Sequence, residues 1–240
     1  MRADRYLVEN GHYPSRARAQ AAIRAGCVRV DGRVVRKASS PVAKGSEVVA
    51  EAEHPWVSRG GLKLDHALGT FELDVRGRLA LDVGSSTGGF TQVLLARGAE
   101  RVAAVDVGTD QLHPSLREDP RVHVMEQTDA RTLTREVLGF APDVVVCDAS
   151  FIPLKLVLPV PLSLAREGAA LVALVKPQFE VGRDLVGRGG IVRDRKVRER
   201  AVGDASVWLC GQGWEVEAVT DSPVAGGSGN RESLLLARKT

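Results

Sequence analysis

The feature that most constrains this chain is the stretch from Leu79 to Asp106, LALDVGSSTGGFTQVLLARGAERVAAVD. Leu79 to Val83 is a short apolar run, and Gly84 follows at once. Such a run suits a buried parallel strand. The glycines of Gly84-Ser-Ser-Thr-Gly88-Gly89 let a backbone turn tightly and approach a ligand. Phe90, Val93 and Leu94 then share one helical face, and Gly98 stops the helix. Val102 to Val105 is a second buried strand ending in Asp106, 22 residues after Gly84.

A carboxylate at that strand tip is placed to accept from the hydroxyls of a ribose, as in dinucleotide-binding folds. The turn is not G-x-G-x-x-G, and no Walker lysine follows it. Asp82, just before the turn, would repel a pyrophosphate but suits a ligand with a positive amino group. These features favour S-adenosylmethionine over NAD or ATP. They nominate Asp82, Gly84, Ser85, Ser86, Thr87, Gly88, Gly89, Phe90, Asp106 and Val107 as cofactor-binding residues. The bland alternative is an ordinary βαβ turn with a surface aspartate.

The rest of the C-terminal region continues the alternation. Strands are expected at Val122 to Met125, Asp143 to Cys147, Ala169 to Val175, Trp214 to Thr220 and Ser233 to Ala237. Gln111 to Arg117 reads as a short helix or turn. Lys155 to Ala165 reads as a helix kinked at its prolines, and Arg193 to Cys210 as a long helix. Asp129 and Ala130 fall where an adenine ring would lie. Asp129 could accept from the adenine amino group or cap a helix. Asp148 and Lys176 each stand at a strand's C-terminal tip, where open α/β sheets bind ligands. Lys63 follows Gly60-Gly61, and its helix is expected to start after that pair. A cation in the first turn opposes the helix dipole. Val186 to Ile191 is a glycine loop that could act as a lid or an RNA contact.

The N-terminal region differs. Residues 1–53 carry ten Lys/Arg against six Asp/Glu, and between Arg16 and Lys44 only Asp31 opposes eight cations. That excess is the footprint of a phosphate-binding surface, or simply a solvated face. Helices are expected at Arg2 to Asn10 and, capped by Ser15, at Arg16 to Ala25. Cys27 to Val35 around Asp31-Gly32 reads as a type I′ hairpin. Glu51 to Pro55 reads as a linker, which divides the chain at 1–55 and 56–240.

Three cysteines, Cys27, Cys147 and Cys210, are odd in number and far apart, without C-x-x-C. They argue against disulfides and zinc and for a reducing, cytoplasmic setting. No metal cluster stands out. The chain has no apolar run long enough to span a membrane, and its first residues lack the apolar core of a secretory signal.

The N-terminal pattern resembles the S4 RNA-binding domain. That resemblance implies phosphate contacts from Arg5, Arg16, Arg18, Arg24, Arg29 and Arg33, with Arg59 beyond the linker. With few aromatics, it fits shape and phosphate recognition of structured RNA. Over nearly the whole chain, VSRGGLK, LDVGSSTGGF, VDVG, DASF, LVKPQFEVG and GNRE resemble the TlyA family of bacterial rRNA 2′-O-methyltransferases, often labelled hemolysin A. This implies a small α+β S4 domain joined to a Rossmann-like, FtsJ-like methyltransferase domain with a seven-stranded, mostly parallel sheet, the last strand antiparallel. It implies S-adenosylmethionine as cofactor and ribosomal RNA or a ribosomal subunit as partner. The family's Lys-Asp-Lys-Glu tetrad falls on Lys63, Asp148, Lys176 and Glu232. Lys176 would remove, or electrostatically favour loss of, the 2′-hydroxyl proton. Asp148 and Lys63 would set its charge and position, and Glu232 would orient the ribose or the lysines. Gly108-Thr-Asp-Gln-Leu112 departs from the family's GYGQL, and Asp129 from its usual Asn. The chain resembles the shorter subtype associated with 23S rRNA, which implies a cytidine of that RNA.

Three rival readings remain. Base methylation usually places paired prolines where this chain has Asp148-Ala-Ser-Phe. A membrane-lytic hemolysin lacks a matching apolar or amphipathic segment. A catalytically silent RNA-binding or assembly factor would not need the tetrad.

Overall fold

The computed structural model describes residues 1–13, 15–51, 54–226 and 228–240, and these form two compact units, Met1–Pro55 and Trp56–Thr240. Residues 52–53 of the expected 51–55 linker, and Gly227, lie outside the described residues.

In the first unit, helices α1 (Ala3–Glu9) and α2 (Arg16–Ala25) pack over a small sheet. Ser15 caps α2 by accepting from the Arg18 amide, and Gly26 ends it in the left-handed conformation. Strands β1 (Val28–Val30) and β2 (Arg33–Val34) form the hairpin, and β3 (Val48–Ala50) pairs with the other edge of β1. Asp31 and Gly32 have φ of 49° and 76°, as a type I′ turn demands. Leu7, Ala19, Ala22, Ile23 and Val28 are the core. Beneath them Asp4 is fully buried and accepts from Arg2 (3.0 Å), Arg16 (2.9 Å) and Gln20 (2.8 Å). Those donors hold its carboxyl well below the ordinary carboxylate range.

The second unit opens with α3 (Arg59–Thr70), followed by β4 (Leu79–Val83), α4 (Gly89–Ala96), β5 (Arg101–Val105), α5 (Pro114–Arg117), β6 (Val122–Met125) and α6 (Arg135–Leu138). Then come β7 (Val144–Cys147), α7 (Leu154–Val157), α8 (Pro159–Leu164), β8 (Ala170–Val175), α9 (Pro177–Glu180), α10 (Arg195–Gly211), β9 (Trp214–Asp221) and β10 (Ser233–Lys239). The sheet order is β6-β5-β4-β7-β8-β10-β9; β4 to β8 run parallel, and β10 is antiparallel to both neighbours. Strand alternation sends Leu81 and Val83 to one core, and Ala80 to the other, shared with Leu64, Phe90 and Leu94 of α3 and α4. The chain steps outward from β4 through β5 to β6, then crosses back to β7 on the other side of β4. The crevice at this switch point is where such sheets bind ligands.

One expectation needs correction. Helix α3 starts at Arg59, before the glycine pair rather than after it. Lys63 therefore lies in the second turn, and the dipole argument does not apply to it. The glycines serve close packing: a Cβ on Gly61 would lie 2.4 Å from Trp56, and one on Gly89 would lie 2.8 Å from the Gly61 nitrogen. The Lys155 to Ala165 helix divides into α7 and α8 at Leu158, because Pro159 begins a new helix.

Candidate functional site

Two adjoining cavities open at the switch point. One, of about 560 Å³, is lined by Gly84, Ser86, Asp106, Val107, Asp129 and Ile152, among others. The other, of about 610 Å³, is lined by residues that include Lys63, Asp148, Lys176, Phe179 and Glu232. Gly84, Ser86, Asp148, Ser150 and Phe151 line both.

The first cavity is built from strand tips. The Gly84 and Ser85 amides both donate to the Val105 carbonyl (2.9 and 3.1 Å), which folds the turn over β5. Gly88 adopts a φ of 92°, and a Cβ there would strike Leu116. Thr87 and Gly89 continue the turn, and Gly89 and Phe90 begin α4. The Asp106 carboxylate accepts from the Ser86 amide (2.9 Å) and the Gly108 amide (2.7 Å), so it is held at the cavity wall. Asp82 is fully buried behind the turn; its Oδ2 accepts from Thr91 Oγ1 (2.7 Å), while Oδ1 has no partner among the described residues. Burial pushes its carboxyl up to about 7, the Thr91 bond opposes the rise, and Asp148 and Asp106 add to it. Ser85 Oγ is likewise buried without a partner.

Asp129 caps the short 3₁₀ turn Ala130–Thr132 and grips Arg131 with both oxygens, at 2.6 Å for the closest pair. The capping reading is what the geometry contains. An adenine amino group would have to share a carboxylate already engaged by arginine.

Sequence reasoning passed over Glu126. It follows β6 and accepts from three successive amides, Asp110 (3.0 Å), Gln111 (2.8 Å) and Leu112 (2.9 Å), and from Arg117 (2.6 Å). Arg117 and those amides hold its carboxyl down at about 2. This staple shapes the wall that carries Gln111, whose Oε1 accepts from Ser86 Oγ (3.1 Å). An acid directly after a strand, opposite a loop short of acceptors, was the available signal.

In the second cavity the four tetrad residues form a chain of alternating charge. Lys176 Nζ lies 2.7 Å from Asp148 Oδ1, Asp148 Oδ2 lies 4.0 Å from Lys63 Nζ, and Lys63 Nζ donates to Glu232 Oε2 at 2.7 Å. Lys63, Lys176 and Glu232 are 8%, 6% and 4% exposed. The four tetrad residues come from α3, the tip of β7, the tip of β8 and the entry to β10. Lys176 also donates to the Asp148 carbonyl (3.0 Å) and to Ser150 Oγ (2.8 Å). The carboxylate contact is an ion pair only: Asp148 Oδ1 has no hydrogen-bond partner among the described residues.

Phe151 is another residue the sequence did not single out. It is 90% exposed at a φ of 66°, a strained conformation for a bulky residue, and its ring centroid is 5.2 Å from that of Phe179.

The arginines expected to bind RNA divide into three groups. Arg24, Arg29 and Arg33 are exposed, with no carboxylate in ion-pair range among the described residues. Arg5 pairs with Glu9 (3.1 Å) and Arg16 with Asp4 (2.9 Å), while Arg18 approaches His54 (3.4 Å). Arg59, at the start of α3, lines the second cavity.

The chain matches two known families. Residues 56–239 match the FtsJ-like methyltransferase family, and residues 1–48 match the S4 domain. The chain is 48% identical over 239 residues to the 16S/23S rRNA (cytidine-2′-O)-methyltransferase TlyA of Mycobacterium tuberculosis, covering 99% of this chain and 89% of that protein. It is 37% identical to Hemolysin A of Brachyspira hyodysenteriae, covering 98% of each. A solved structure from Streptococcus thermophilus, described as a candidate hemolysin, superposes with a TM-score of 0.79 at 39% identity, covering 100% of this chain and 88% of that one.

Proposed function

The chain belongs to the TlyA family, which joins an S4 domain to an FtsJ-like methyltransferase domain, and from that premise we propose that it methylates a ribose 2′-hydroxyl of ribosomal RNA. The observation that carries this reading is the largely buried Lys176–Asp148–Lys63–Glu232 chain at the meeting of two cavities. A cytidine is the favoured target, as the name of the tuberculosis relative states for that enzyme.

The first cavity fits S-adenosylmethionine. Asp106 stands at the wall for ribose hydroxyls, and Val107, Ala130 and Ile152 offer apolar surface to an adenine. Asp82 Oδ1, buried behind the turn, and Ser85 Oγ, whose residue lines the second cavity, are unpartnered among the described residues and leave acceptor capacity for an ammonium-bearing end. When bound, this cofactor supplies a methyl group made electrophilic by its sulfonium.

The chain's own residues handle the nucleophile. Asp148 holds Lys176 beside the second cavity, while Lys63, braced by Glu232, holds the far oxygen of Asp148. As general base, Lys176 takes the proton of the ribose 2′-hydroxyl as that oxygen bonds to the methyl group, and the Asp148 carboxylate stabilises the ammonium that results. Phe151 offers its exposed ring to an unstacked base at the cavity mouth. In the first unit, Arg24, Arg29 and Arg33 supply phosphate contacts.

Positioned proton transfer contributes about 10² to 10⁴ in rate. Lys176→Ala is therefore expected to lower kcat by about that factor, with S-adenosylmethionine affinity retained. An unchanged methylation rate would remove Lys176 from the mechanism. The relative named Hemolysin A raises a second reading, membrane lysis, but among the described residues no helix is long and apolar enough to cross a membrane.

A further inference from the structure

Residues 183–200 carry seven Lys/Arg against three Asp/Glu. Three of the cations are engaged locally. Arg195 pairs with Glu199 (2.7 Å), Arg200 pairs with Asp204 (3.5 Å), and Arg198 donates to the Val192 and Arg193 carbonyls. The other four, Arg183, Arg188, Arg193 and Lys196, are exposed and have no carboxylate in ion-pair range among the described residues.

The segment that bears them is pinned to the site. Gly187 and Ile191 bridge across a turn in which Gly189 and Gly190 take φ of 77° and 75°. Asn230, 1% exposed, clasps this turn with both ends of its carboxamide. Its Oδ1 accepts from the Val192 amide (2.9 Å), and its Nδ2 donates to the Gly190 carbonyl (2.8 Å). Asn230 stands two residues before Glu232, and its own carbonyl accepts from the Gly226 amide (2.9 Å). Val186 and Gly190 wall the same cavity as Lys176 and Glu232. One carboxamide therefore fixes a basic segment against the cavity that holds the tetrad.

We propose that this pinned arm is a second phosphate-binding surface, within the methyltransferase unit, for the RNA strand flanking the target nucleotide, and that Asn230 is its positioning residue. The proposal rests on the RNA reading above. Four exposed cations on a segment whose Val186 and Gly190 wall the cavity suit a polyanion threaded past the site. Leu185 is the single large apolar side chain exposed between residues 183 and 196 among the described residues, which favours an RNA strand over a lipid surface.

The test uses the full chain carrying R183Q, R188Q, R193Q and K196Q together. Binding to a ribosomal RNA fragment is measured across a potassium chloride series. Each lost phosphate contact reduces the slope of log affinity against log salt by roughly 0.7 to 0.9, so the expected reduction is about 3. Affinity for S-adenosylmethionine is expected to stay within about twofold, because the arm does not line that cavity. An unchanged slope overturns the proposal, as does an equal loss of cofactor affinity. Loss of binding to phosphatidylglycerol vesicles with RNA binding intact would overturn it in favour of a lipid partner. The Asn230 part is read separately. In Asn230→Ala, the Val192 amide should exchange with deuterium at least about tenfold faster while β8 amides do not change, and KM for RNA should rise more than kcat falls. Asn230→Asp keeps the Val192 acceptor and should recover that amide's protection but not the Gly190 contact. Unaltered Val192 exchange in Asn230→Ala contradicts the positioning role. If the parent chain binds RNA but methylates none, the functional reading fails while the salt slope still decides the arm.

Discussion

A lysine placed as Lys63 is cannot be a solvated surface residue: it is nearly buried, between Glu232 at 2.7 Å and Asp148 at 4.0 Å. Removing one member of such a set leaves a buried charge without its partner, which costs more than the pair contributes. Lys63→Ala is expected to lower both the melting temperature and kcat. Lys63→Ala combined with Glu232→Gln should recover much of the stability and none of the rate, as thermal unfolding and single-turnover assays would show. Recovery of the rate would mean that the two residues only neutralise each other. Asp82 yields a pH prediction. Its folded value of about 7 lies above the ordinary value of about 3.9, so between those limits the folded protein holds a proton that the unfolded chain has lost. Ligand-free stability therefore falls as pH rises across that window. A ligand ammonium favours the ionised carboxylate, so S-adenosylmethionine affinity should climb as pH rises toward 7 and level off above it. Titration calorimetry from pH 5.5 to 8.5 checks this, with Asp82→Asn expected to flatten the profile. A flat profile in the parent would show that Asp82 does not sense the ligand.

At the scale of elements, the site depends on how closely α3 approaches α4. A Cβ on Gly89 would meet Ser58 and the Gly61 backbone, so Gly89→Ala should cost about 1–3 kcal/mol of overpacking and displace Lys63 from Asp148. Unfolding in urea would measure the first effect and kcat the second; wild-type values for both would show that the helices can part without loss. This contact also marks the limit of what the sequence conveyed. Leu79–Val83, the turn after it and Arg101–Val105 were legible because apolar runs, glycines and a terminal acid follow local rules. Ser15, Gly26 and Asp31-Gly32 were legible for the same reason, since capping and turn chemistry are short-range. The start of α3 was not, because Gly60 and Gly61 look like a break until Trp56 and α4 are in place. Glu126 went unnoticed, and Asn230 was read only as part of GNRE, because their partners are backbone amides and carbonyls 14 to 40 residues away, which leave no periodicity. The tetrad was named through family resemblance; its members come from elements up to 169 residues apart, and no local pattern could have joined them.

On the scale of the whole molecule, the chain is two compact units with different charge and different chemistry. Arg24, Arg29 and Arg33 lie in the unit without the tetrad, so reversing them to Glu should weaken RNA binding and flatten its salt dependence while leaving S-adenosylmethionine affinity unchanged. Filter binding over a salt series reads the first, and calorimetry the second; undiminished RNA affinity would show that the first unit serves another partner. In that unit the low Asp4 value has the opposite sign to that of Asp82. Its stabilisation is fully present above the ordinary carboxylate range and is lost as pH falls below it, so the first unit should loosen on acidification. The measurement that bears most directly on the central claim is methyl transfer from labelled S-adenosylmethionine to ribosomal RNA and isolated subunits, followed by nuclease digestion and nucleoside analysis. The account predicts label in a 2′-O-methyl nucleoside, with cytidine favoured, and a labelling rate lowered by about 10² to 10⁴ after Lys176→Ala. Label on a base, or equal labelling by the Lys176 variant, would contradict it.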